Sequence, residues 1–219
     1  QEEILSLTEE LFIEITENVL GKKVLEKPFP RFTHKEAMGK FGADKFDLRD
    51  KKDKDMLGFA WVLDFPLFEQ NKEGIAPSHH PFTAPKDEDI ELLDKDPMKV
   101  RSWQHDLVCN GLEIGGGSLR ITDPALQKKI FRILGHSEGE VEDKFGHLLT
   151  AFKFGVPPHG GIAHGIDRFL MAALGETSVR EVVAFPAASS GITSVMEAPS
   201  QVDDKQLKEL GIRVEKLER

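Results

Sequence analysis

Three consecutive glycines, Gly115-Gly116-Gly117, stand in a short apolar run flanked by acids on one side and a base on the other. The stretch reads Asp106-Leu-Val-Cys-Asn-Gly-Leu-Glu113-Ile-Gly-Gly-Gly-Ser118-Leu-Arg120. Asp106 to Asn110 and Leu112 to Ile121 read as strands, with Asn110-Gly111 between them as a turn or bulge signal. Side chains alternate along a strand with period two. Asp106 and Glu113 would therefore fall on opposite faces of an unbroken strand. One extra bulge residue at Asn110-Gly111 puts both on one face. Two carboxylates on one face offer a Mg²⁺ site, because that ion takes one or two carboxylates together with substrate phosphates. The glycines remove three side chains in a row and let a ligand lie against bare backbone. Arg120 follows closely enough for its fork to clamp a carboxylate or a phosphate. The same spacing also suits a glycine-rich bulge with exposed charges, and the residues alone leave both readings open.

Elsewhere the periodicity predicts an amphipathic helix over 2–20, with Ile4, Leu11, Ile15 and Val19 on one face, widened by Leu5, Leu7 and Phe12. Thr33 and Glu36 form a capping box for a short helix ending near Gly42. Asp50-Lys-Lys-Asp-Lys-Asp55 has no apolar period and reads as a loop or join. Gly58 to Leu63 reads as a strand, and Glu69 to Asp96 as a long irregular segment of the kind that is functional or disordered. Asp123-Pro124 opens a helix that ends at Gly135, and Ser137 with Glu140 caps a second one. Pro157-Pro158-His159-Gly160-Gly161 breaks that helix. Ile166 to Leu174 reads as a helix, Glu181 to Phe185 as a strand and Asp203 to Leu210 as a closing helix. Helices and strands do not alternate as in a doubly wound sheet, which predicts an α+β fold with a mainly antiparallel sheet.

The 219 residues make one large domain or two small ones. No apolar run approaches the roughly 18 to 20 residues of a membrane span, which predicts a protein outside the membrane. The single cysteine, Cys109, excludes an intramolecular disulfide framework and fits a reducing cytosol; it reads as an inert core thiol. A net charge of −9 argues against nucleic-acid binding by overall charge and leaves room for a local basic patch. The chain starts at Gln1, without methionine or targeting peptide, and is expected to be a piece of something longer.

A second constellation is Gly160-Gly-Ile-Ala-His164-Gly165-Ile166-Asp167-Arg168. Glycines before a short helix with Arg168 in its first turn would let backbone N–H groups and a guanidinium hold one phosphate together. A surface pair of Asp167 with Arg168 is the plainer alternative. Adjacent His79 and His80 point apart in extended chain, and no cysteine cluster completes a zinc site. They read equally as a loop pair or a substrate-binding pair. His159 and His164 read as turn or packing histidines. No nucleophile elbow, Walker loop or dinucleotide fingerprint is present.

In these segments the chain resembles the catalytic domain of bacterial-type aspartyl-tRNA synthetases, which are class II aminoacyl-tRNA synthetases. The resemblance is carried by Phe29-Pro-Arg-Phe-Thr-His-Lys-Glu-Ala-Met38, Phe41-Gly-Ala-Asp-Lys-Phe-Asp-Leu-Arg49, Trp61-Val-Leu-Asp-Phe-Pro-Leu-Phe-Glu69 and His79-His-Pro-Phe-Thr-Ala-Pro85. It continues through Asn110 to Arg120, Phe154-Gly-Val-Pro-Pro-His-Gly-Gly161, the class II motif 3 at Gly165-Ile-Asp-Arg168, and Ala184-Phe-Pro186. The resemblance implies an antiparallel class II sheet flanked by helices and incomplete at its N-terminal side. It also implies ATP-dependent activation of L-aspartate to aspartyl-adenylate, followed by transfer to the 3′ end of tRNA(Asp), with tRNA(Asn) a further candidate. By motif match, Arg120 would grip the aspartate side chain, with His79 and His80 lining that pocket. Asp106 and Glu113 would hold Mg²⁺ on the ATP phosphates. Gly165, Ile166, Asp167 and Arg168 would bind ATP, with Arg168 on the γ-phosphate. Arg168 and Glu113 are thus the implied catalytic residues, in a cytoplasmic enzyme that is a homodimer when complete.

The chain departs from the pattern in three places. Nothing in it matches class II motif 1, motif 2 with its ATP-binding arginine, or the family's anticodon-binding barrel. It is therefore expected to be the C-terminal part of the catalytic domain over 1–219, inactive alone. Only the charged join at 50–57 stands where bacterial members carry an inserted domain. Ala187 and Ala188 replace the usual Lys-Thr after Phe185-Pro186. A paralogue that activates aspartate without tRNA and a non-catalytic scaffold remnant are the alternative readings.

Overall fold

The computed structural model describes residues 1–50, 53–193, 195 and 197–215. Helix α1 (Glu2–Glu14) runs on into a π-helical turn at Ile15–Val19, then come strands β1 (Lys23–Val24) and β2 (Arg31–Thr33) and helix α2 (His34–Phe41). Strands β3 (Met56–Leu57), β4 (Phe59–Leu63), β5 (Phe68–Asn71) and β6 (Gly74–Pro77) precede the short helix α3 (Leu92–Lys95). The central hairpin is β7 (Gln104–Cys109) and β8 (Leu112–Leu119). It is followed by α4 (Pro124–Ile133), α5 (Glu138–Phe152), β9 (Gly160–His164), α6 (Ile166–Leu174) and α7 (Asp204–Glu209).

The chain divides into two compact units, Gln1–Glu176 and Thr177–Arg219. The first is built on a five-stranded sheet in the order β2-β4-β7-β8-β9. Every pairing in it is antiparallel except β2 with β4. The mainly antiparallel α+β expectation therefore holds. One face packs Phe59, Trp61, Leu107, Cys109 and Ile114 against Leu5 and Phe12 of α1 and Phe169, Ala172 and Ala173 of α6. On the other face Ala60, Val62 and Val108 meet Ala37 of α2 and the buried Phe46. In the second unit, α7 follows a bridge between Thr193 and Ala198.

Local capping works as read. Thr33 with Glu36 and Ser137 with Glu140 both form complete capping boxes, and Asp123 accepts from Ala125 N at 2.7 Å. Five expectations change. The α1 face turns: Leu5, Thr8, Glu9, Phe12 and Thr16 are buried, while Leu7, Leu11 and Val19 are exposed. Buried Glu9 sets this face by accepting from Trp61 Nε1 at 2.9 Å and Phe29 N at 3.2 Å, as a buried carboxylate requires. Within 69–96, much of the expected irregular segment is ordered by the β5–β6 hairpin, the short helix α3 and a 3₁₀ turn at Asp87–Asp89. Gly160-Gly161 opens a strand rather than merely breaking a helix, because β9 pairs with β8. Glu181 to Phe185 holds no strand: Val179–Glu181 is a 3₁₀ turn, Phe185 is exposed, and a strand without a neighbour has nothing to pair with. The β-bulge also moves, as described below. In the join at 50–57, residues 51 and 52 lie outside the described residues.

Candidate functional site

The site starts from a register shift. Asn110 (φ 52) and Gly111 (φ 90) form a tight two-residue turn, and β7 pairs Cys109 with Leu112 and Val108 with Glu113. The next pair is Leu107 with Gly115, so the extra residue is Ile114 on β8 and the bulge is not at Asn110-Gly111. Its effect is the one the carboxylate spacing called for. A side chain built on Gly116 would lie 3.0 Å from Asp106 Oδ1 and 3.4 Å from Glu113 Oε1. Both acids therefore border one hollow, floored by Gly116 backbone.

The three glycines have different reasons. A Cβ on Gly117 would meet Gly161 O at 2.0 Å, so this glycine lets β9 close onto β8. One on Gly115 would press on His164 Nδ1 at 3.2 Å and Ala163 O at 3.3 Å. Only Gly116 opens the space between the carboxylates. At Gly117 the expectation of bare backbone for a ligand is replaced by close strand approach.

Side chains hold each acid in place. Gln104, two residues before Asp106 and on the same face, donates from Nε2 to Asp106 Oδ1 at 2.7 Å. His79 Nε2 stands 3.6 Å from Asp106 Oδ2. Glu113 offers Oε1 to the hollow, while Oε2 takes Lys45 Nζ at 2.9 Å and Arg168 Nη1 at 3.6 Å. Arg168, in the first turn of α6, also donates to Glu113 O at 3.4 Å. Gly165 N donates to Ile114 O at 2.8 Å, tying the start of α6 to the bulge itself. The Glu113 hydrogen bond pushes the Lys45 ammonium above its ordinary pKa. Among the described residues no group of three or more His, Cys, Asp or Glu could hold a metal alone. A carboxylate pair that leaves positions for phosphate oxygens is the donor set Mg²⁺ takes.

Arg120 begins where β8 ends. Its Nη1 lies 3.1 Å from His80 Nδ1 and closer still to Nε2, so the imidazole accepts from a guanidinium. Burial, then the charge of Arg120, pulls His80 down from its ordinary value to about 4. His80 is thus neutral at physiological pH and leaves the arginine charge unbalanced. Among the described residues no ion pair engages Arg120, and burial lowers its own pKa. A half-buried cation without a counter-charge is a group that could hold an anion. His79 and His80 do point apart, one to Asp106 and the other to Arg120. Of the three other sequence candidates, His164 packs edge-on against Phe12 with centroids 5.1 Å apart, His159 bonds Pro157 O at 3.0 Å, and burial raises the Cys109 thiol.

A cavity of about 580 Å³ borders Arg120, lined also by Gln1, Ile4, Trp103, Leu119 and His159. Neither Asp106 nor Glu113 lines it, so it is separate from the carboxylate hollow. Sequence reasoning missed two residues beside the acids. Gln104 was findable, since period two puts it on the face of Asp106. Lys45 gave no local signal, because only the fold brings the loop after α2 to β8.

Comparison with known proteins gives the family. Residues 1–189 match the family model described as tRNA synthetases class II (D, K and N). An aspartate–tRNA(Asp/Asn) ligase from Caldanaerobacter subterraneus subsp. tengcongensis is 51% identical over 175 residues, which are 79% of this chain and 29% of that protein. The aspartate–tRNA ligase of Clostridium beijerinckii is 50% identical over 174 residues, 78% of this chain and 29% of that one. The chain therefore spans about 29% of the length of these curated relatives. Among solved structures, an aspartyl tRNA synthetase from Entamoeba histolytica shares the fold with TM-score 0.64 and 22% identity, over 88% of this chain and 41% of that one. The asparaginyl-tRNA synthetase of Pyrococcus horikoshii does so with TM-score 0.60 and 18% identity, over 85% of this chain and 46% of that one. With a family model matched over residues 1–189 and the sheet shared with solved structures, the chain belongs to the class II (D, K and N) tRNA synthetases.

Proposed function

We propose that this chain is the C-terminal part of the catalytic domain of an aspartate–tRNA ligase. The reaction is ATP-dependent activation of L-aspartate to aspartyl-adenylate, followed by transfer to the 3′ end of tRNA. The observation that carries the reading is Arg120, a half-buried guanidinium with no ion-pair partner among the described residues and a neutral His80 against it. The aspartate side chain supplies the missing anion and accepts both arms of the fork. Asparagine is isosteric but neutral, and would leave the arginine unpaired at a cost of several kcal/mol in such a site. His80 cannot compete for the carboxylate as a second cation, and so acts as a shaped wall of the pocket. His79, turned towards Asp106, stands between the amino-acid end and the phosphate end.

The ATP phosphates belong at the other end. Asp106 and Glu113 fit Mg²⁺, which when bound neutralises phosphate charge. Arg168 meets the outermost phosphate from the start of α6, where Ile166 and Asp167 bring backbone N–H groups and the positive helix end, and Gly165 ties that end to Ile114. Catalysis of this kind is positioning and charge stabilisation, so no dedicated proton donor is needed. The relatives, aspartate–tRNA(Asp/Asn) ligases among them, support tRNA(Asp) and tRNA(Asn) as acceptors. We expect the complete protein to be a cytoplasmic homodimer that supplies the motif 2 arginine. Among the described residues no helix is long and apolar enough to cross a membrane.

The test is calorimetric binding of a non-hydrolysable aspartyl-adenylate analogue and its asparaginyl counterpart to the complete gene product. The aspartyl form should bind selectively, and Arg120→Lys should weaken it about a hundredfold, because a point charge cannot replace a bidentate fork. Equal binding of both analogues, or an unchanged Arg120→Lys variant, would remove Arg120 from the pocket.

A further inference from the structure

We propose that Lys45 is a further phosphate-binding residue of this site, closing with Arg168 a two-cation clamp across the carboxylate hollow. This rests on the ATP reading above. Lys45 and Arg168 approach the same oxygen, Glu113 Oε2, at 2.9 and 3.6 Å, from opposite ends of the chain's sheet unit. The other oxygen, Oε1, faces the hollow shared with Asp106. The two bases thus hold Glu113 by one oxygen and leave the other for a metal.

An exposed lysine–glutamate pair is ordinarily worth little and easily accidental. Here the backbone on its C-terminal side is built in. Phe46 is buried, stacks on Phe41 with centroids 4.0 Å apart, and its carbonyl accepts from Gly111 N at 3.0 Å, at the tip of the β7–β8 turn. Arg49 forks onto Asp47 at 2.9 and 2.8 Å and donates to Met56 O at 3.1 Å. The loop is therefore clamped to the hairpin that carries Glu113, while the Lys45 side chain stays 47% exposed and can reach a ligand. Charge gives the direction of the effect. Lys45 and Arg168 both face Glu113, and neither pairs with Asp106 among the described residues. With a divalent ion held by Asp106 and Glu113, the two bases would face polyphosphate oxygens. The ligand class is a nucleoside triphosphate with its metal, and the Lys45 contact is to the part of it that leaves as pyrophosphate.

The experiment compares two ligands on the complete gene product by calorimetry in Mg²⁺: a β,γ-imido ATP analogue, and a non-hydrolysable aspartyl-adenylate, which lacks the β- and γ-phosphates. Lys45→Met should weaken the ATP analogue ten- to a hundredfold, about what one charge-assisted hydrogen bond is worth, and leave the adenylate unchanged. Lys45→Arg should restore most of the loss. Equal weakening of both ligands would mean Lys45 only supports the fold, and an unchanged ATP analogue would mean it touches no phosphate; either overturns the proposal while leaving the aspartate reading intact. A wild-type protein that binds neither ligand would overturn both.

Discussion

The two faces of the central hairpin are made from alternate residues of the same strands, yet they have opposite chemistry. On β7, His105, Leu107 and Cys109 look to α1 and α6, while Gln104, Asp106 and Val108 look to the site and α2. All six are buried, so burial does not tell the faces apart. What differs is what each buried group meets. Leu107 and Cys109 pack in an apolar cluster and stabilise by leaving water. Asp106 sits 4% exposed, with Gln104 on one oxygen and His79 beyond the other, and Gln104 Oε1 has no partner at all. Apart from His105, whose Nε2 also lacks a hydrogen-bond partner among the described residues, the first face is finished by apolar packing, while the other gathers buried polar groups whose partners are incomplete.

The largest effect expected from this contrast is at Trp61. Its indole is fully buried on the finished face and donates to Glu9. Trp61→Ala should remove about 3–5 kcal/mol of stability in urea titration, whereas Asp106→Asn should stay within about 1 kcal/mol of wild type while Mg²⁺ binding fails. Comparable destabilisation by both would erase the distinction between the faces.

The glycines sharpen it. Gly117→Ala drives a methyl into Gly161 O and should cost about 2 kcal/mol or more by breaking the β8–β9 approach. Gly116→Ala presses only on the Asp106 side chain at 3.0 Å and should spare stability while filling the hollow, so the β,γ-imido ATP analogue should bind more weakly. A stable Gly117→Ala protein would show that the strands have slack there.

A smaller effect lies in pH. His80 titrates near 4 when folded and near its ordinary 6.5 when unfolded. Between these values the unfolded chain takes up a proton that the folded chain refuses, so stability present above about pH 6.5 is lost as pH falls towards 4. Urea midpoints at about pH 7 and about pH 4.5 should therefore separate more for wild type than for His80→Gln. Equal separation would mean that the Arg120–His80 contact does not set the titration.

Much of the local structure was legible. The capping boxes at Thr33 and Ser137, the Asp123-Pro124 start and the Asn110-Gly111 turn are each decided within four residues, and all of them formed. The candidate residues Asp106, Glu113, Arg120 and Arg168 were legible too, because charge beside glycine in an apolar run is a local anomaly. The buried face of α1 was not. Leu7 and Leu11 satisfy the helical period as well as Leu5 and Phe12 do, and the choice falls to Glu9, whose partners Trp61 and Phe29 lie far along the chain. Strand β9 was hidden because Gly160-Gly161 has the composition of a turn, and its strand state exists only through the ladder with β8.

The sequence by itself determined the caps, the hairpin turn and most of the helices, and singled out the candidate site residues, because propensity, capping and period act over a few neighbouring residues. Tertiary structure decided the rest. It placed the bulge at Ile114, gave each glycine its separate purpose, paired His80 with Arg120 and brought Lys45 to Glu113. Those outcomes depend on register and on contacts between distant segments, which are settled only when the sheet closes and its buried polar groups find, or lack, their partners.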